Sequence, residues 1–144
     1  MLFRSHEGEI GLIIVDYLQL MQATNNHNGN RVQEVLRIPF RLSGLQSLRI
    51  KETDRLKALQ TELRKLGVVL TEHDGKVLEW DGNRCDAELE PVIVTYDDHR
   101  MAMAFAPVAL RRKGGISIAN PEVVSKSYPY FWDDLQTAGF QTNS

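Results

Sequence analysis

The sequence carries little of what secreted, membrane or nucleic-acid-binding proteins usually have. It contains one cysteine, Cys85, which excludes an internal disulfide framework. Its formal net charge is −2, without the basic surplus of a nucleic-acid-binding domain. The opening stretch "MLFRSHEGEIG" is charged and has no long apolar core, so we expect no signal peptide. These features favour a cytoplasmic globular protein that binds neither nucleic acid nor membranes.

Long hydrophobic runs are also absent. The longest, "IGLIIVDYLQLM", contains Asp16 and is too short to span a bilayer. Because it is short and β-branched, it predicts a buried strand of a parallel sheet, and the polar stretch "QATNNHNGNR" after it predicts a loop. Residues 1–36 carry 2 basic and 4 acidic residues, whereas residues 37–144 carry 15 of each. We therefore expect a separate segment 1–36 ahead of a main segment 37–144.

Within the first segment, "GLIIVDYLQLM" followed by a polar loop and "NRVQEV" resembles the Walker B region of the replicative hexameric (DnaB-type) DNA helicases. The resemblance covers about Glu9–Val35 and implies a RecA-like strand on which Asp16 coordinates magnesium and Gln19 lies near nucleotide and DNA. No G-x-x-x-x-G-K-[ST] motif occurs anywhere in the chain, so the loop that would bind the phosphates is missing. We expect Asp16 to be structural or inert. A nucleotide-binding helicase fragment is therefore the least favoured function.

The main segment alternates helix and strand patterns, which predicts an α/β or α+β fold. Strands are predicted at "LQSLRI", "EPVIVTY" and "GISIA", and a β-hairpin is predicted at "VVLTEHDGKVLEW" because of its central Asp-Gly pair. Leucines at helical spacing in "TDRLKALQTELRKL" predict an amphipathic helix that ends at Gly67.

Two further helices are predicted towards the end of the chain. The stretch "DDHRMAMAFAPVALRR" is apolar almost all round and predicts a buried helix, with Asp97 or Asp98 as N-cap and a break at Pro107. The stretch "KSYPYFWDDLQTAGF" predicts a last helix with Ser127 as N-cap, Pro129 in its first turn and Gly139 at its end.

The three predicted helix starts share an unusual feature, because each carries cations at an end that is already partly positive. The cations are Lys51 and Arg55, then His99 and Arg100, then Lys126. Backbone N–H groups at a helix start bind anions, and arginine binds carboxylate or phosphate bidentately. If the three ends converge, they form a pocket for a small, highly charged anion. The alternative is that these cations pair with neighbouring aspartates or face water.

Three stretches together resemble the C-terminal end of the 5-enolpyruvylshikimate-3-phosphate (EPSP) synthase family: "LRIKETDRLKALQTELRKLG", "TYDDHRMAMAFAPVAL" and "NPEVVSKSYPYFWDDLQTAGF". The resemblance covers about residues 38–140. It implies an α/β (α+β) fold, namely a partial EPSP-synthase-like domain built from β-α-β-α-β-β repeats and incomplete in this chain.

The resemblance also implies a carboxyvinyltransferase activity of the EC 2.5.1.19 type, in the biosynthesis of aromatic amino acids. The family transfers the enolpyruvyl group of phosphoenolpyruvate to the 5-hydroxyl of shikimate-3-phosphate and releases phosphate. Both small-molecule substrates are anions. By resemblance, Arg55, Arg100 and Lys126 hold phosphoenolpyruvate. No metal or organic cofactor is implied, and the full-length family enzyme is a monomer.

The remaining roles also follow from the resemblance. Lys51 lies at shikimate-3-phosphate near the attacking hydroxyl, and Glu52 is the acid/base that protonates the methylene carbon and later removes a proton from it. His99 lines the same site as a hydrogen-bonding partner. Ser47 stands where some family members have an asparagine that contacts shikimate-3-phosphate, which weakens that single contact.

The match is partial. Neither the family's N-terminal substrate-binding residues nor its catalytic aspartate upstream of "KETDR" is matched in this chain, so we expect a fragment that is inactive alone. A gene fusion, a recombination product and a sequence-assembly chimera all fit the change near residues 36–38. A non-catalytic anion-binding remnant is the main alternative function, and a UDP-N-acetylglucosamine enolpyruvyl transferase is the alternative within the enzyme class.

Overall fold

The computed structural model describes residues 2–4 and 39–143. The chain divides into two compact units, which we call the central unit (13–88) and the terminal unit (1–12 together with 89–144). The predicted strand with Asp16 and Gln19, the polar loop after it and the predicted boundary at residues 36–37 all lie outside the described residues.

The central unit contains a three-stranded antiparallel sheet. Its strands are β2 (Phe40–Leu42), β3 (Thr71–His73) and β4 (Val77–Trp80), in the order β2-β4-β3. The turn between β3 and β4 places Asp74 at φ 53° and Gly75 at φ 65°. Two consecutive left-handed residues are the signature of the turn that Asp-Gly favours, so the predicted hairpin is confirmed. Strand β2 was not predicted.

In the described part of the central unit, one α-helix, α1 (Arg55–Lys65), packs its leucines into the core. Asp54 caps its start by accepting a hydrogen bond from the Lys57 backbone N–H at 3.3 Å. Gly67 follows the helix end at φ 88°, a conformation that glycine adopts without steric cost. The predicted helix and its glycine stop are therefore confirmed.

The strand predicted at "LQSLRI" is wrong, because residues Gln46–Ile50 form a 3₁₀ helix. Leu45 and Leu48 are both buried. In a 3₁₀ helix residues three apart lie on the same side, so this spacing buries both leucines. In a strand the same spacing would place them on opposite faces.

The terminal unit contains a four-stranded mixed sheet. Its strands are β1 (Leu2–Arg4), β5 (Val92–Ile93), β6 (Ile116–Ile118) and β7 (Gln141–Asn143), in the order β5-β6-β1-β7. Strands β5 and β6 are parallel, and β1 is antiparallel to both β6 and β7. The predictions at "EPVIVTY" and "GISIA" are confirmed by β5 and β6, whereas β1 and β7 were not predicted.

The buried helix after β5 is confirmed as α2 (His99–Phe105), and Asp98, not Asp97, is its N-cap. A 3₁₀ helix, Ala106–Arg111, continues directly from it. The change occurs one residue before Pro107, which has no N–H to donate to the preceding turn. The predicted break is therefore confirmed.

The start of the last helix differs from the prediction. Helix α3 covers Phe131–Thr137, and its N-cap position is Tyr130, which makes no side-chain capping bond. Ser127 instead ends a separate 3₁₀ helix, Pro121–Lys126. Pro129 lies outside α3, before its first turn, and proline disfavours helical backbone in the residue that precedes it. The predicted last helix is therefore confirmed only from Phe131, and the 3₁₀ helix Pro121–Lys126 ahead of it was not predicted.

Within the part of the chain that the structure describes, no helix is both long enough and apolar enough to cross a bilayer.

Candidate active site

Arg55 and Glu52 form the tightest charged pair next to the start of α1. Arg55 is the first residue of the helix, and its side chain is only 3% exposed. Its Nη2 donates to the Glu52 Oε2 at 2.6 Å, and the Glu52 side chain remains 50% exposed. A buried guanidinium needs a partner because desolvating an unpaired charge is costly. Arg55 is therefore neutralised by Glu52, three residues earlier, rather than by Asp54.

The other central-unit candidates lie at the surface. Ser47 and Lys51 are both exposed, and Lys51 follows the 3₁₀ helix in an extended conformation (φ −90°, ψ −157°). Across residues 2–4 and 39–143 the structure shows no ion pair for Lys51. Asp54 is engaged by Arg49, whose Nε lies 3.5 Å from the Asp54 Oδ2. Lys51 and the exposed part of Glu52 are thus presented to solvent from one short loop.

In the terminal unit, a sharp turn connects β5 to α2. Tyr96 and Asp97 both adopt φ 55°, and the Asp98 N–H donates to the Thr95 carbonyl at 2.9 Å. Left-handed backbone is uncommon outside glycine and recurs at functional sites. Asp98 is fully buried and accepts a hydrogen bond from the Arg100 N–H at 3.0 Å. The turn and the cap together fix where α2 begins.

The turn places His99 and Arg100 in the first turn of α2, both half-buried. Lys126 is exposed and ends the 3₁₀ helix Pro121–Lys126, which packs against α2. The terminal unit thus brings the elements of Arg100 and Lys126 together. The expectation that Lys126 precedes a helix start is wrong, because the proline-containing stretch after it separates it from α3.

One polar group near this turn was missed by the sequence reasoning. Thr95 is fully buried, and its Oγ1 has no hydrogen-bond partner among the residues that the structure describes. A buried hydroxyl without a partner carries a desolvation cost. No signal in the sequence marked it, because a β-branched threonine at the end of an apolar stretch is an ordinary strand residue.

A depression of the central unit lies elsewhere, beside the C-terminal half of α1. It has a volume of about 510 Å³ and contains none of the candidate residues. The Cys85 thiol at its wall contacts the Arg64 carbonyl at 3.3 Å. Among the described residues, no group of three or more His, Cys, Asp or Glu is placed to hold a metal ion. The lining residues are Thr61, Arg64, Lys65, Cys85, Asp86 and Glu88.

Comparison with known proteins covers the segments that carry these candidates. The family model described as EPSP synthase (3-phosphoshikimate 1-carboxyvinyltransferase) matches residues 32–135, which is more than half of the chain. The match begins inside the segment 1–36, so the boundary near residue 36 stays a prediction. It contains every candidate residue of both units.

Individual relatives agree with the family match. The chain is 58% identical over 106 residues to a 3-phosphoshikimate 1-carboxyvinyltransferase of Bacteroides fragilis, covering 74% of this chain and 26% of that protein. It is 47% identical over 93 residues to the enzyme of the same name from Clostridium acetobutylicum, covering 64% and 21%. The chain therefore spans about a quarter of the length of the curated relatives that it matches.

A solved structure shows the same fold. The EPSP synthase of Acinetobacter baumannii superposes with a TM-score of 0.57 at 31% identity, over 71% of this chain and 24% of that one. The mixed helix and strand elements thus form part of that architecture. On the family match across residues 32–135, supported by these relatives, the chain belongs to the EPSP synthase family.

Proposed function

We propose that the chain carries one part of the active site of a carboxyvinyltransferase. This enzyme transfers the enolpyruvyl group of phosphoenolpyruvate to the 5-hydroxyl of shikimate-3-phosphate in aromatic amino acid biosynthesis. The observation that carries the proposal is the 2.6 Å pair of buried Arg55 and half-exposed Glu52, inside the family-matched region. The reaction needs no metal or organic cofactor from this chain, and its setting is the cytoplasm.

Glu52 suits the role of acid/base in this reaction. A group that moves a proton to and from carbon must be held in one geometry and must still be reachable by the substrate. Its contact with Arg55 fixes one carboxylate oxygen, and the 50% exposure of the side chain leaves it accessible. Arg55 therefore both orients Glu52 and, in the role that the resemblance implies, contributes positive charge towards phosphoenolpyruvate.

The remaining cations suit the two anionic substrates. Lys51 is exposed on the same loop as Glu52 and is assigned to shikimate-3-phosphate near the attacking hydroxyl. Arg100 and Lys126, on elements that pack together, are assigned to phosphoenolpyruvate. His99 lines the site as a hydrogen-bonding residue, and Ser47 contributes a weak contact to shikimate-3-phosphate.

The alternative functions differ from the proposed one in turnover or in the acceptor substrate. A non-catalytic remnant binds phosphoenolpyruvate but never turns it over, and the quarter-length coverage of the relatives keeps this alternative open. A UDP-N-acetylglucosamine enolpyruvyl transferase uses the same donor with a different acceptor. A nucleotide-binding helicase fragment around Asp16 is the least favoured alternative, because the chain has no G-x-x-x-x-G-K-[ST] motif to bind the phosphates.

The proposal is tested by titration calorimetry with phosphoenolpyruvate and with shikimate-3-phosphate, together with a coupled phosphate-release assay. We expect both ligands to bind, with the two together binding more tightly than either alone. We expect no turnover from the 144-residue chain alone, because the matched residues supply only part of the catalytic set. Turnover that disappears in Glu52→Gln would show that this chain suffices for catalysis. Absence of binding by either ligand, or preference for UDP-N-acetylglucosamine over shikimate-3-phosphate, would contradict the proposed function.

A further inference from the structure

Arg49 directly precedes the loop 50–54, which presents Lys51 and Glu52 to solvent. Its side chain lies close to Asp54 and to the β3–β4 turn. Arg49 belongs to the 3₁₀ helix Gln46–Ile50, and its side chain is 52% exposed. On one side its Nε lies 3.5 Å from the Asp54 Oδ2. The other carboxylate oxygen of Asp54 accepts the Lys57 N–H and so caps α1. Arg49 is thereby connected to the end of the loop where the helix begins.

On its other side, Arg49 lies against the β3–β4 turn. A Cβ added at Gly75 would overlap the Arg49 guanidinium and would lie 2.9 Å from its Cδ. Gly75 also has φ 65°, and its N–H donates to the Glu72 carboxylate. The turn therefore favours glycine for its backbone conformation, and the Arg49 side chain lies directly against it.

We propose that Arg49 is a positioning residue for loop 50–54, which it ties to the hairpin turn and to the cap of α1. This inference rests on the proposed function, because the loop presents Lys51 and Glu52, the groups assigned to substrate binding and proton transfer. Both side chains are exposed, and segments with few buried contacts open easily. A planar guanidinium that lies on a glycine turn and reaches a carboxylate has a geometry that lysine cannot reproduce.

The first readout needs no substrate. Amide hydrogen exchange by nuclear magnetic resonance is compared in the parent, Arg49→Ala and the matched control Arg41→Ala. Arg41 is a similarly exposed arginine of the same unit (57%) and is paired with Glu79 at 2.8 Å. We expect the Lys57 and Gly75 amides to exchange about 3–10-fold faster in Arg49→Ala and at the parent rate in the control. Parent rates at both amides in Arg49→Ala would overturn the proposal.

The second readout is shikimate-3-phosphate affinity, measured by calorimetry, because Lys51 of the loop is assigned to that substrate. We expect Arg49→Ala to weaken binding about 3–10-fold and Arg49→Lys to weaken it by a similar factor although the charge is kept. Parent affinity in Arg49→Lys would show that Arg49 acts through its charge alone and would overturn positioning.

A further variant separates geometry from charge. Asp54→Asn keeps a good N-cap but removes the carboxylate that Arg49 reaches. By charge alone this change favours anion binding, so an affinity loss of about 3–10-fold identifies positioning, whereas a gain overturns it. If the parent itself binds no shikimate-3-phosphate, the proposed function fails, and the exchange rates at Lys57 and Gly75 still decide the role of Arg49.

Discussion

The two units differ in how they bury and pair the charged residues at a helix start. Each begins a helix with an aspartate cap and an arginine in the first turn, namely Asp54 with Arg55 and Asp98 with Arg100. In the central unit the arginine is buried against Glu52, and the cap residue is 34% exposed and paired with Arg49. In the terminal unit the cap residue is the fully buried group, and the arginine is half-buried.

The difference shows that an arginine at a helix start does not by itself predict how it is buried or paired. In the central unit the acid that neutralises Arg55 is Glu52, the side chain proposed to move the proton. One ion pair therefore serves both roles. In the terminal unit the buried Asp98 accepts a hydrogen bond from the Arg100 N–H, and its own N–H closes the left-handed turn at Tyr96 and Asp97 by donating to the Thr95 carbonyl. Asp98 thus joins the turn to the start of α2.

Replacing the two cap residues gives the largest expected contrast. We expect Asp98→Ala to lower the free energy of unfolding by about 2–3 kcal/mol, because a fully buried acceptor and the turn that depends on it are lost. We expect Asp54→Ala to cost about 1 kcal/mol, the ordinary value of a partly exposed cap. Urea denaturation followed by circular dichroism measures both. Equal losses would remove the distinction between the units.

Removing the buried arginine tests the central pair. We expect Arg55→Ala to cost about 2 kcal/mol, because the packing of the buried guanidinium and its bond to Glu52 are lost together. The half-exposed Glu52 can be solvated, which limits the cost. Lys51→Ala, a matched removal of an exposed cation from the same loop, is expected to change stability by less than about 0.5 kcal/mol. Similar values for the two variants would mean that the buried pair of Arg55 with Glu52 does not stabilise the central unit.

The unpartnered hydroxyl of Thr95 predicts a smaller effect of opposite sign. Because Thr95→Val removes a buried polar group that has no partner among the described residues, we expect stability to be unchanged or raised by up to about 1 kcal/mol. The control is Thr61→Val, whose hydroxyl is exposed and donates to the Lys57 carbonyl at 2.9 Å. A loss of more than about 1 kcal/mol in Thr95→Val would reveal a hydrogen bond that the hydroxyl makes in solution.

The third helix start provides a contrast without cations. Tyr128 donates a hydrogen bond to Asp134 in the first turn of α3; this bond, then desolvation and the aspartate charge, raise the pKa of Tyr128 above its ordinary value of 10.0. The contact therefore stabilises the fold fully below pH 10, and the contribution is lost as pH rises through the raised pKa.

We expect Asp134→Ala to lower the pKa of Tyr128 towards 10.0, seen by ultraviolet absorbance during an alkaline titration. Tyr128→Phe identifies which part of the absorbance change belongs to this residue. An unchanged titration curve in Asp134→Ala would show that the hydrogen bond is absent in solution.

Local patterns predicted the elements whose signals lie within a few residues. The leucine spacing of α1, the Asp-Gly hairpin and the break at Pro107 are confirmed because each depends on neighbours in sequence. The strand predicted at "LQSLRI" was wrong because Leu45 and Leu48 are both buried. Residues three apart lie on the same side of a 3₁₀ helix but on opposite faces of a strand. Strands β1, β2 and β7 were missed because, unlike the equally short β5 and β6, they do not lie in a run rich in β-branched apolar residues.

In the candidate site, too, local motifs identified residues but not the contacts between them. The resemblance identified Glu52, Arg55 and Arg100 by their motifs, but the pairing of Arg55 with Glu52 rather than with Asp54 needed the geometry. The contact of Arg49 with the hairpin turn joins residues that are far apart in sequence, so no local pattern could reveal it.

The central claim, that this chain carries cations that bind phosphoenolpyruvate, is tested most directly by thermal unfolding in phosphoenolpyruvate against chloride at matched ionic strength. The parent chain is compared with Arg100→Ala and Lys126→Ala, two residues whose elements pack together in the terminal unit. We predict that phosphoenolpyruvate stabilises the parent by about 1–3 kcal/mol at saturation and that each variant loses most of this gain. Equal stabilisation by both salts in the parent, or a loss confined to one of the two variants, would contradict an anion site shared by Arg100 and Lys126.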